Sequence, residues 1–208
     1  MLVYSAIIAG LTAYLLGNLN GAVCVSAIIA HDDVRTHGSG NAGLTNFIRN
    51  YGAGKALYVI LIDGGKAIIS CVNAGLMLEP FGYYEEGMML GGVCVILGHI
   101  FPALLGFKGG KGILSGFSVA LAIDWRIAVI LLAVFALAYL TTKYVSLGSV
   151  LGSAMFAVGF IIFHHDNALV MGGGIFIGLL ALFMHRSNIL RLLKGQERKT
   201  DLFKKKPE

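Results

Sequence analysis

Hydrophobic residues in this chain come in long blocks separated by short polar stretches, and the blocks have membrane length. A membrane-crossing helix needs about 20 mostly apolar residues, with a range of roughly 17 to 25. Seven blocks qualify as spans: Val3 to Ala30, Lys55 to Leu78, Glu86 to Leu105, Gly112 to Ile123, Ile127 to Thr141, Val145 to Phe163 and Ala168 to Met184. The fourth and fifth lie near the lower length limit. A count of five or six is therefore an alternative reading, and charge has to arbitrate.

Lys and Arg accumulate on the cytoplasmic side of membrane proteins. With seven spans, one face receives Arg35, Arg49, Lys55, Lys108, Lys111 and Lys143. It also receives the eight basic residues from Arg186 to Lys206, which makes 14 of 16. The other face receives Arg126, and Lys66 falls within the second span. Glu79, Glu85, Glu86, Asp124 and Asp166 all fall on the face poor in Lys and Arg. Merging the fourth and fifth spans would move Lys143 and the whole tail across the membrane. The expectation is an all-α integral membrane protein with seven transmembrane helices, N-terminus outside and C-terminus cytoplasmic, with short cytoplasmic re-entrant or amphipathic segments. It forms a single domain over residues 1–208, with a basic tail from about 186 to 208 lying on an anionic leaflet or in the cytosol.

Composition agrees. Of 208 residues, 57% are hydrophobic and 13% charged, with a mean hydropathy of +0.80. Soluble domains carry about 25% charged residues, and a small domain cannot hide so much apolar surface. The 29 glycines suit helices packed closely in a membrane. Cys24, Cys71 and Cys94 fall inside apolar runs without metal-ligand spacing. No basic region precedes the first apolar run, so it reads as a span and not as a cleaved signal.

Four polar stretches interrupt the apolar blocks, all on the predicted cytoplasmic face: "GSGNAGLTNFIR" (38–49), "GHIFPALLGFKGGKG" (98–112), "KYVSLGS" (143–149) and "HRSNILR" (185–191). They are rich in Gly, Ser, Thr, Asn, Lys, Arg and His and nearly free of acids, a makeup suited to an anion. The positive-inside rule accounts for the cations but not for Ser39, Asn41, Thr45, Asn46, Ser146 and Asn188. In the first stretch, glycines permit positive φ, so that backbone N–H groups can curl around an oxyanion. A helix is expected to start near Thr45 or Asn46, both good N-caps. Arg49 follows one turn later, able to bind phosphate bidentately. The second stretch is not a nucleotide-binding P-loop: three residues separate Gly106 from Gly110, and Gly112 stands where that motif has a hydroxyl. It still sets Lys108 and Lys111 beside flexible backbone. His99 reads equally as a structural histidine at a span end. Ser146 either donates to the anion or caps the sixth helix. His185 and Asn188 share a helix face. Asp63 and Lys66, three apart within the second span, read as a structural pair, with a direct role for Lys66 left open.

Together "GSGNAGLTNFIR", "GHIFPALLGFKGGKG", "YVSLGS" and "HRSNILRLLKGQE" resemble the bacterial acyl-phosphate:glycerol-3-phosphate acyltransferases, in order and over nearly the whole chain. Leu44 stands where that family usually has Ala in "GATN", Ala67 where "LDxxKG" has Gly, and "GNLNGA" where "GSIPFG" is commoner. The resemblance implies transfer of a fatty acyl group from acyl phosphate to the first hydroxyl of glycerol 3-phosphate. The products are lysophosphatidate and inorganic phosphate, in the first acylation of phospholipid synthesis, with neither acyl-CoA nor acyl carrier protein as direct donor. It implies a multi-pass protein of the bacterial inner membrane with its active site facing the cytoplasm. No His has Asp five positions on, the pair that marks the CoA- and carrier-protein-dependent acyltransferases.

On this basis Ser39, Arg49, Lys111 and His185 are the expected catalytic residues. Gly40, Asn41, Thr45, Asn46, His99, Lys108, Gly109, Gly110, Ser146 and Asn188 are the expected substrate contacts. Ser39, Asn41, Arg49 and one or both of Lys108 and Lys111 clamp phosphate, while His185 and Asn188 orient glycerol 3-phosphate. The hydroxyl proton goes to His185 or to a substrate phosphate. No cofactor, metal or nucleic acid is expected. Membrane lipid is a partner, and association with other phospholipid-synthesis enzymes stays open. Two rivals are weaker. A transporter needs polar groups along a path and often an inverted repeat. The second is a CDP-alcohol phosphotransferase or lipid phosphatase; "DGGKA" faintly suggests the first of these, but its paired aspartates downstream are missing from the sequence.

Overall fold

The computed structural model describes residues 1–200 and, among these, contains helices and turns but no strand. The basic residues Lys204, Lys205 and Lys206 lie outside the described residues. Ten α-helices follow in order: α1 (Leu2–Gly17), α2 (Gly21–Ala30), α3 (Leu44–Tyr51), α4 (Ala56–Leu78), α5 (Tyr84–Ile100), α6 (Ile113–Ile123), α7 (Trp125–Thr142), α8 (Val145–Phe163), α9 (Ala168–Met184) and α10 (Arg186–Leu193). The expected sixth and seventh spans coincide with α8 and α9. The expected third is shorter as a helix, because the chain leaves α5 at Phe101 and makes a single 3-10 turn at Ala103–Leu105.

Five segments are long and apolar enough to cross a membrane: residues 2–30, 56–81, 84–105, 125–142 and 145–163. A sixth counts if α9 and α10, bent by 56° at their junction, form one span. α6 is apolar but has only 11 residues, about 16 Å of helix at 1.5 Å per residue. Asp124, extended at φ −149°, separates α6 from α7 and caps α7 by accepting from the Arg126 N–H at 2.9 Å.

The first span is not continuous. α1 ends at Gly17 and α2 begins at Gly21, with "NLN" between them. Asn20 caps α2 by accepting from the Val23 N–H at 3.0 Å, and Asn18 accepts from the Leu104 N–H at 3.0 Å. A helix break within an apolar span is tolerable only where protein groups satisfy the freed backbone. Here Lys66 donates to the carbonyls of Gly17 and Leu19, and Asp63 accepts from the Gly21 N–H at 2.9 Å.

Close backbone approach explains some of the glycine content. A Cβ on Gly17 would sit 2.8 Å from the Cα of Gly98, so this pair lets α1 and α5 touch. Gly91 of α5 lies against the Ser70 carbonyl of α4 in the same way. The main apolar core gathers residues of α4 to α9, among them Val95, Val119, Ile127, Phe156, Phe160 and Ile177.

Candidate active site

A cavity of about 760 Å³ opens among α3, α6, α7, α8, α9 and α10. Its two ends differ in chemistry. Ser39, Asn41, Thr45, Arg49, Lys111 and Asn188 line one end; Leu114, Phe117, Leu131, Phe135, Phe156 and Ile177 line the other. All four polar stretches of the sequence contribute to it.

The first stretch is held by its own asparagine. Asn46, buried in the first turn of α3, donates to the carbonyls of Val34, His37 and Asn41, each at 3.0 Å. Its Oδ1 accepts from the Ser39 N–H at 3.0 Å. The Gly40 N–H donates to the His37 carbonyl at 3.0 Å. Gly38 adopts φ +62°, and a Cβ there would collide with the Asn46 amide. The expected anion cradle of backbone amides over Ser39 and Gly40 is therefore not built, because protein acceptors occupy those N–H groups. Asn46 itself is a staple for the loop. α3 starts at Leu44 with Gly43 as N-cap, not at Thr45 or Asn46, and no side chain caps it.

This leaves the α3 N-terminus open, and two more behave alike. α6 begins after Gly112, at φ +81°, and α8 after Tyr144, neither with a side-chain cap. Gly43, Gly112 and Val145 line the cavity, so three helix N-termini, each with unpaired N–H groups and partial positive charge, approach one space. Ser146, 8% exposed, lies in the first turn of α8 and lines the same space. Its Oγ has no hydrogen-bond partner among the described residues. It does not cap the helix, and its hydroxyl is itself buried.

Lys111 reaches Asn188, its ammonium donating to Oδ1. Burial, then the neighbouring charge of Arg191, pushes its pKa down to about 8, with Glu197 opposing. Lys108 is exposed and does not line the cavity; its carbonyl accepts from Arg35 at 3.4 Å. The Gly109 and Gly110 N–H groups donate to the carbonyls of Ile100 and His99 at 3.2 and 3.1 Å. These two glycines shape the turn and have no amide to spare for a ligand. His99 lines the cavity, with its Nδ1 2.9 Å from the Lys66 ammonium and its Nε2 against Gly110.

His185 occupies the junction between α9 and α10. Its Nδ1 lies 2.8 Å from the Ala181 carbonyl, which can only accept. That fixes the proton on Nδ1 and leaves the Nε2 lone pair as the ring's acceptor. The chain after α10 folds back over the polar end. Glu197 accepts from Arg191 Nε at 2.9 Å and from the Asn188 amide at 3.4 Å. Thr200 accepts from Arg49 Nε at 2.9 Å and donates its N–H to the Lys143 carbonyl at 3.1 Å. The described part of the tail thus forms a wall of the site.

Over residues 7–195 the chain matches the family model described as Glycerol-3-phosphate acyltransferase. The glycerol-3-phosphate acyltransferase of Finegoldia magna is 39% identical over 193 residues, covering 93% of this chain and 95% of that one. The chain belongs to the glycerol-3-phosphate acyltransferase family. It is also similar to two crystal structures of PlsY (YgiH), an integral membrane glycerol 3-phosphate acyltransferase. The glycerol 3-phosphate form has a TM-score of 0.83 and 32% identity, covering 95% of this chain and 96% of that one. The lysophosphatidic acid form has a TM-score of 0.81 and 30% identity, with the same coverage.

Within this acyltransferase fold, the cavity also takes in residues that were not among the expected site residues. Ser149 and Ser153 follow Ser146 at helical spacing, a pattern visible in the sequence. Arg191 lies three residues after Asn188 on α10. Glu197 and Arg198 lie past the last helix, where spacing says nothing about position.

Proposed function

We propose that this acyltransferase takes its acyl group from acyl phosphate and attaches it to the first hydroxyl of glycerol 3-phosphate. The products are lysophosphatidate and inorganic phosphate, and the step is the first acylation of phospholipid synthesis. The observation that carries this reading is the single cavity with a cationic, hydroxyl- and amide-lined end joined to an apolar end. Both substrates carry phosphate, and one carries a fatty chain.

Acyl phosphate is an activated mixed anhydride, so the glycerol hydroxyl can attack it directly. The hydroxyl oxygen bonds to the carbonyl carbon, the bond from that carbon to the phosphate oxygen breaks, and its electron pair leaves with inorganic phosphate. Arg49 and Lys111, with Ser39 and Asn41, hold phosphate oxygens. Ser146 and the open N-termini of α6 and α8 donate to the carbonyl oxygen as it becomes tetrahedral. Asn188 and His185 hold glycerol 3-phosphate. The hydroxyl proton passes to His185 Nε2 or to a phosphate oxygen.

The topology that serves this chemistry has seven spans, with the N-terminus outside and the cavity mouth on the cytoplasmic side of a bacterial inner membrane. Its support is the placement of 14 of 16 Lys and Arg on one face. The deciding assay measures inorganic phosphate release by the purified protein. Release that requires both acyl phosphate and glycerol 3-phosphate is the expected result. Equal acylation from acyl-CoA would overturn the donor assignment.

A further inference from the structure

Two features of α8 line the cavity beyond its polar end: an open position at Gly152 and the ring of Phe156. Residues Ser146, Ser149, Gly152, Ser153 and Phe156 of α8 line the cavity. Their spacing puts them on one helix face. From Ser146 to Phe156 this face runs about 15 Å at 1.5 Å per residue.

Glycines set the width of this passage. A Cβ built on Gly152 meets nothing within 4 Å. One built on Gly116 of α6, which also lines the cavity, meets only the Phe156 ring, at 4.0 Å. At Gly148 a Cβ would be 2.8 Å from the Phe135 ring, so the space there is already filled. The empty volume at Gly152 is therefore local, part-way between the polar end and Phe156.

Phe156 closes the passage. It is buried, and its ring centroid lies 5.0 Å from that of Phe160. Phe160 is fully buried and seated against Gly174 of α9, where a Cβ would collide with the ring. Leu131 and Ile177 complete the same core cluster. Phe156 thus has no room to retreat without repacking α8 against α9.

We infer that Gly152 and Phe156 are specificity-determining residues for acyl chain length: the fatty chain runs along α8 past Gly152 and ends against Phe156. This rests on the acyl-transfer reading above. Leu132 of α7 lines the cavity and is 57% exposed, which marks the alternative route for the chain.

The test compares octanoyl, myristoyl and palmitoyl phosphate as donors for the full-length protein and for Gly152→Leu, Gly152→Ala and Phe156→Ala. A leucine side chain at Gly152 takes the room the long acyl chain needs, so kcat/KM for palmitoyl phosphate should fall by about tenfold in Gly152→Leu. Octanoyl phosphate should be spared, and the KM for glycerol 3-phosphate, which reads the polar end, should stay unchanged. Gly152→Ala should show the same order of preference with a smaller shift, which keeps the test valid if the Leu variant does not fold. Phe156→Ala should move the preference toward longer donors. An unchanged chain-length profile in the active variants overturns the inference and means that the chain leaves sideways past Leu132. If the unsubstituted protein uses none of the acyl phosphates, it is the acyl-transfer reading that fails.

Discussion

The Lys66 ammonium lies 2.9 Å from the Asp63 carboxylate, with both side chains 2% exposed, and the pair joins the two ends of the break between α1 and α2. The cation meets the carbonyl end of α1 and the carboxylate meets the N–H end of α2, the favourable sense for each helix dipole. The Lys66 ammonium also lies 2.9 Å from Nδ1 of His99, a residue of the cavity wall. One ion pair therefore connects the broken span to the site. Replacing Lys66 by Met strands a buried carboxylate and two carbonyls. It should cost about 3–5 kcal/mol of stability. Thermal unfolding in detergent should show this, with the loss partly recovered in Asp63→Asn/Lys66→Met. Equal stability of Lys66→Met and the parent would contradict the role.

Ser146 should separate stability from activity. Its buried hydroxyl has no partner among the described residues, so Ser146→Ala removes a desolvated polar group. The melting temperature should stay level or rise, because an unsatisfied buried hydroxyl costs about 1–3 kcal/mol. Turnover should fall, by roughly a hundredfold if the hydroxyl meets the developing oxyanion. A fall in both would mark Ser146 as a packing residue.

Lys111 predicts an alkaline limit. A lysine with its pKa pushed down to about 8 is a cation below that pH and loses its proton as pH rises through it. The KM for glycerol 3-phosphate should therefore rise above about pH 8. Lys111→Arg, which stays charged, should remove this limb while keeping activity. Glu197→Gln removes a carboxylate that raises the Lys111 pKa, so the limb should move to lower pH. Activity at pH 9 equal to that at pH 7 in the parent protein would dismiss the assignment.

His185 decides where the substrate proton goes. With Nδ1 held by the Ala181 carbonyl, Nε2 is its free base. If it accepts the proton, His185→Gln should lower kcat by about a hundredfold or more and abolish the acid limb of the pH–rate profile. A profile of unchanged shape, whatever the rate, assigns the proton to substrate phosphate.

Lengths of apolar runs and the one-sided distribution of Lys and Arg were enough to place α4, α7, α8 and α9 nearly to the residue, since burial in lipid demands long, uncharged helices and nothing tertiary. The four polar stretches were legible for the same reason: in so apolar a chain, clustered Ser, Asn, Lys and Arg have no other solvent to face. Sequence also put Asp63 and Lys66 on one helix turn. It could not show that they bridge a break in the first span, because "NLN" reads as part of an apolar run until Lys66 arrives from another helix to satisfy the freed carbonyls. Asn46 looked like a ligand and is a staple. Gly109 and Gly110 read as substrate contacts, and their amides go to the carbonyls of Ile100 and His99. Ser146 read as an anion donor or a cap of the sixth helix; the structure shows no side-chain cap there, and donation to the anion is a proposal. Glu197 and Thr200 became wall residues through contacts with Arg191 and Arg49, across as many as 151 residues of chain. Local pattern decides which residues are polar, helical or buried in lipid. Only the packed helices decide which polar groups have already found each other and which are left for a ligand.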